Sequence, residues 1–99
     1  MQYRVSLTAR AIKDLDIIFQ FIQAEQSETA ATWFNGLHEA LKSLSSLPHR
    51  ARATPENPAL RHLLYGSKPN VYRVIYFTDD TKKTVTVLTI RHGARKPIE

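Results

Sequence analysis

The chain has 99 residues, room for one small domain and not for two. Its 42% hydrophobic and 23% charged residues suit a single unstapled core, and the absence of cysteine excludes disulfides, thiolate metal sites and cysteine nucleophiles. The net charge is +5, no apolar run is long enough to span a bilayer, and Met1 to Arg4 shows no signal-peptide pattern. The expectation is a soluble, cytoplasmic domain with an anionic partner and no membrane contact.

Tyr3, Val5 and Leu7 alternate with Arg4 and Ser6, which predicts a short strand. Thr8 can cap a helix running to about Glu25, with Ile12, Leu15, Ile18, Phe19 and Ile22 on one face. Ile17 and Phe21 form an i,i+4 pair on roughly the opposite side. Either a second helix covers this pair, the default for a small domain, or the pair is offered to a partner. Ser27 predicts the cap of a second helix to about Leu47, carrying Trp33, Phe34, Leu37, Leu41, Leu44 and Leu47 in one wide stripe before Pro48. The short link around Gln26 makes the two helices an antiparallel hairpin.

His49 to Pro58 reads as loop. Strand patterns return at Leu60 to Tyr65, Val71 to Thr78 and Thr84 to His92, the last two joined by the polar turn Asp79-Asp80-Thr81-Lys82-Lys83. The order β-α-α-β-β-β predicts a single α+β domain over residues 1–99, a helical hairpin packed on one face of a mainly antiparallel sheet.

The charge is unevenly placed. Up to Leu47 four cationic side chains stand against five acidic ones, and beyond it ten stand against four, a net −1 followed by +6. The cationic half is the part that supplies the sheet, and its uncovered face is the candidate working surface. Arg73 stands mid-strand among apolar residues, either paired to a local carboxylate or aimed at a phosphate. By alternation Arg91 and His92 point to opposite faces, and which of them shares Arg73's face is open at this level. His38, His49 and His62 have no metal-ligand spacing, so neither a metal nor another cofactor is expected.

The segments Tyr3-Arg4-Val5, Val71-Tyr72-Arg73-Val74-Ile75-Tyr76 and Ile90-Arg91-His92-Gly93-Ala94-Arg95, with the helical hairpin and the arginine-bearing loop after Pro48, resemble the RelE/ParE superfamily of bacterial toxins over nearly the whole chain. The resemblance implies the toxin half of a type II toxin–antitoxin (plasmid stabilisation) pair, neutralised by a cognate antitoxin that orders on binding. The Ile17 and Phe21 strip and the basic sheet face would both suit that antitoxin contact, one apolar and one electrostatic. RelE-like members cleave mRNA on the ribosome, and ParE-like members inhibit DNA gyrase. His92-Gly93-Ala94-Arg95 looks ParE-like, whereas Arg73 and Pro55-Glu56 ahead of Leu60-Arg61-His62 are compatible with the RelE-like branch.

Metal-free RNA cleavage needs a base for the 2′-hydroxyl, cations for the crowded phosphorane and an acid for the leaving oxygen. Glu56 or His92 as base, His92 as acid, and Arg73, Arg91 and Arg95 as phosphate clamps are the candidates. Tyr65 or Tyr72 is the candidate to stack on a base, and Arg61, Tyr65, Lys68 and Lys96 are candidate target-binding residues. Outside the toxin class, the same basic face is consistent with a non-toxic RNA- or DNA-binding module or with a partner-binding domain.

Overall fold

Thr8 separates the first strand, β1 (Arg4–Leu7), from the first helix, α1 (Ala9–Phe21), and serves both. Its hydroxyl accepts the Ala11 N–H at 3.1 Å and donates to the Leu88 carbonyl at 2.7 Å, capping the helix while pinning its start to the sheet. The structure, a computed structural model, describes residues 2–67 and 70–93. After α1 come α2 (Glu28–Ser43), β2 (Arg52–Ala53), β3 (Arg61–Tyr65), β4 (Tyr72–Asp79) and β5 (Thr84–His92). The expected α+β domain is present: a helical hairpin on a five-stranded sheet of order β1-β5-β4-β3-β2. Every pairing is antiparallel except β1 with β5.

Both helices are shorter than their patterns predict. α1 stops at Phe21, where Ile22 caps it and Gln23 turns into the left-handed region at φ 57°, ending the ladder before Glu25. α2 stops at Ser43, because Leu44, Ser45 and Ser46 tighten into i→i+3 hydrogen bonds. Leu47 is consequently 62% exposed and outside the core. Ile12 is exposed too, since α1 buries Ala11, Leu15 and Ile18, a face rotated by one residue from the expected stripe. β2 is a strand within the segment expected to be loop, pairing Arg52 with His62 and Ala53 with Arg61.

The core joins Leu15 and Ile18 to Leu37, Leu41 and Leu44 and to Val74, Tyr76, Val85, Val87 and Ile90 of the sheet. The spacing of the last three reflects a bulge. Ile75 faces Thr89 but Tyr76 faces Val87, so Leu88 is the extra residue. The bulge reverses the alternation of β5, bringing Ile90 to the helix side and Arg91 to the open side. Beyond the end of β1, α1 takes over the free edge of β5: the Asp14 carboxylate accepts the Ile90 N–H at 3.0 Å and the Thr89 hydroxyl at 2.5 Å.

Candidate functional site

Arg73 and Arg91 are direct cross-strand partners, so both project from the open face. Arg73 is a paired arginine. Its two terminal nitrogens grip Glu56 at 2.8 Å each, and its Nε donates to His62 Nδ1 at 3.0 Å. The side chains of Arg73 and Glu56 retain only 13% and 14% exposure. The Glu56 hydrogen bonds raise the Arg73 pKa, while burial and the adjacent guanidinium push His62 below its usual value. As acceptor at Nδ1, neutral His62 carries its proton on Nε2.

Glu56 owes its position to a knotted loop. The Thr54 hydroxyl donates to the Asn57 carbonyl at 2.7 Å and accepts the Asn57 N–H at 3.0 Å, and the Thr54 N–H reaches the Leu60 carbonyl at 2.8 Å. Asn57 Oδ1 then accepts the Ala59 N–H at 2.9 Å. The segment expected to be an irregular loop is therefore a holder for one carboxylate. Its sequence signal was Thr54 three residues before Asn57, with Pro55 between them and Pro58 directly after.

The other candidate residues do not all gather here. His92 lies opposite Tyr72 on the helix side, ring against ring at 5.1 Å, away from the Arg73 and Arg91 face. Of Arg91 and His92, left open by the sequence, it is Arg91 that shares Arg73's face, and the imidazole beside Arg73 belongs to His62, which pattern alone did not single out as an acid or base. Arg61 donates through one terminal nitrogen to the carbonyls of Ala51 at 2.6 Å and His49 at 3.2 Å. Tyr65 and Tyr72 pack on Trp33 with ring centroids 5.0 and 5.5 Å away, and the Tyr65 hydroxyl donates to the Trp33 carbonyl. Tyr72 is buried and presents no free face for stacking on a base, whereas Tyr65 is partly exposed. Lys68, Arg95 and Lys96 lie outside the described residues.

The default for α1, a second side covered by α2, does not hold. Ile17 is 52% and Phe21 76% exposed. With Asp14, Tyr72, Ile90 and His92 they line a groove of about 400 Å³ between α1 and the ends of β4 and β5. Phe21 and Tyr72 also border a neighbouring groove of about 320 Å³ that runs to Ser27 and Trp33. An apolar wall with a few inward polar groups is the usual chemistry of a surface that receives another chain.

Residues 5–97 match the model of the family described as ParE toxin of type II toxin–antitoxin system, parDE. The chain belongs to the ParE toxin family. It is thus a toxin of a type II toxin–antitoxin system, within the RelE/ParE superfamily. Solved structures agree on the ParE-type fold. A chain of the chromosomal ParDE system from P. aeruginosa superposes with a TM-score of 0.73 at 22% identity, over 92% of this chain and 96% of that one. A chain of the RelBE2 toxin–antitoxin complex from Mycobacterium tuberculosis gives 0.64 at 24% identity, covering 93% and 99%. A doubly substituted E. coli RelE toxin in the free state gives 0.65 at 19% identity, covering 95% and 86%. No curated protein matches this ParE-family sequence significantly.

Proposed function

We propose that this ParE-family toxin arrests bacterial growth from the cytoplasm by binding DNA gyrase, and that a cognate antitoxin neutralises it by laying an apolar segment into the groove at Ile17 and Phe21. The separation of His92 from Arg73 and Arg91 carries the choice of target. Cleavage through those three residues needs an acid and cations on one phosphate, and here they stand on opposite faces with the Arg73 fork closed on Glu56. A toxin that acts by binding needs no such convergence. No helix among the described residues is long and apolar enough to cross a membrane, which accords with this reading.

One observation favours a second reading, ribosome-dependent mRNA cleavage. Glu56, Arg73 and His62 converge on the open face beside Arg91, giving carboxylate, cation and imidazole with His62 in the role first given to His92. Induction in bacteria separates the two readings. Gyrase inhibition gives DNA damage and lost supercoiling with intact message. Cleavage gives ribosome-dependent cuts that Arg73→Ala and His62→Gln abolish. Unimpaired growth on induction of soluble protein without its antitoxin would refute both.

A further inference from the structure

Beside the start of α1, on the open side of β5, lies another groove of about 310 Å³. Its floor is aliphatic, formed by Leu60, Ile75 and Leu88, and its charged lining among the described residues, Arg10 and Arg91, is cationic. The bulge at Leu88 is what turns Arg91 toward this side. Among the described residues Arg91 Nε is buried and has no hydrogen-bond partner. Buried donors are nearly always paired, so an acceptor that draws the guanidinium into the groove would satisfy this atom. The neighbouring first turn of α1 contains no acidic residue and adds the positive end of the helix dipole.

We propose that this groove binds an extended acidic and aliphatic peptide segment, with one carboxylate between Arg91 and Arg10 and an adjacent aliphatic side chain on Leu60, Ile75 and Leu88. Charge complementarity selects an anion, and the lining selects its kind. A nucleic-acid strand draws much of its single-strand affinity from bases stacked on rings, and the lining has no aromatic side chain. A carboxylate beside a leucine or valine matches both halves of the groove. The proposal rests on the reading of the chain as a toxin held by a partner protein. It gives that partner an acidic strip distinct from the apolar segment at Ile17 and Phe21, the two flanking the α1–β5 contact from either side.

The test titrates the full chain, at low ionic strength, with the capped peptide Leu-Glu-Leu-Glu-Leu while following arginine Nε–H signals by NMR. The same peptide with glutamine for glutamate and a single-stranded RNA dodecamer form the comparison arms. The expected result is a saturable shift of the Arg91 Nε–H with the acidic peptide. Its dissociation constant should rise about tenfold in Arg91→Gln and in Arg10→Gln, the loss of one charge-assisted contact. Arg10 is exposed, so that variant folds even if Arg91→Gln does not. Arg52→Gln, at the far edge of the sheet, should leave binding unchanged. Equal binding of the glutamine peptide, preferential RNA binding at Arg91, or no shift at Arg91 would each overturn the proposal. Growth arrest measured on induced cells keeps the two readings apart: peptide binding without arrest removes the toxin reading alone, and arrest without binding removes the groove alone.

Discussion

Glu56→Gln tests the cluster at its most exposed assumption, that the loop from Thr54 to Pro58 is held to the sheet by charge. The substitution keeps the shape of the side chain and removes the charge that two arms of Arg73 grip at 2.8 Å. Breaking a buried ion pair by neutralising one partner costs about 3–5 kcal/mol. The 13% and 14% residual exposure and the one acceptor that glutamine retains bring the expectation to about 2–3 kcal/mol. In a domain of this size that lowers the melting temperature by roughly 10–20 °C. Urea titration of Glu56→Gln, Arg73→Gln and the double variant gives the coupling directly. The double variant should lose less than the sum of the singles by about 1 kcal/mol or more, because each single leaves a charge unpartnered by its mate. Added salt should partly restore Glu56→Gln, where Arg73 faces Arg91 with its bidentate counter-charge gone. A loss below about 0.5 kcal/mol with strictly additive singles would refute the reasoning.

Three further outcomes are expected. The His62 pKa lies below 6.5 in the fold through burial and Arg73, so the stability it contributes is complete above pH 6.5 and falls as the pH drops from there toward the folded value. The urea midpoint of the wild-type chain should therefore decline more between pH 7 and 5 than that of His62→Gln, and equal declines would remove the assignment. Tyr76→Phe leaves the buried Pro48 carbonyl without its donor and should cost about 1–2 kcal/mol by the same titration. Phe21→Asp, at a side chain 76% exposed, should change stability by less than about 0.5 kcal/mol. The same variant should weaken antitoxin binding by about a hundredfold in calorimetry against the co-expressed partner.

The period of the apolar residues was enough to place two helices and a sheet, because Leu15, Ile18, Leu37 and Leu41 must share one side of a helix to be buried at all. Less legible was what depends on backbone hydrogen bonds between distant segments. At the bulge around Leu88, Thr8 and Asp14 bind the edge of β5, and no local pattern in β5 announces partners some eighty residues away. Its trace is the spacing of Val85, Val87 and Ile90, two residues and then three. The same limit applied at the site. Arginine on a strand at position 73 stood out by composition, but its engagement by Glu56 follows from the Thr54–Asn57 knot, and its contact with His62 from the β3–β4 register. The place of Ile17 and Phe21 was readable only as an alternative, since covering that side depends on where α2 crosses.

The parallel pairing of β1 with β5 has a consequence in time. Residues 4–7 lie beside residues 84–87, and β5, the last of these five strands in chain order, sits between β1 and β4. Until Thr84–His92 has left the ribosome, β1 has no neighbour, β4 has a bare edge, and Val85, Val87 and Ile90 are missing from the core. Closing such a sheet joins segments far apart in the chain and is slow compared with forming the helices. Arg91, the partner of Arg73 across the open face, arrives on that same strand. A nascent chain therefore lacks both its fold and half of its cationic pair until β5 is made, and the cell that makes the toxin carries it in an unassembled form up to that point.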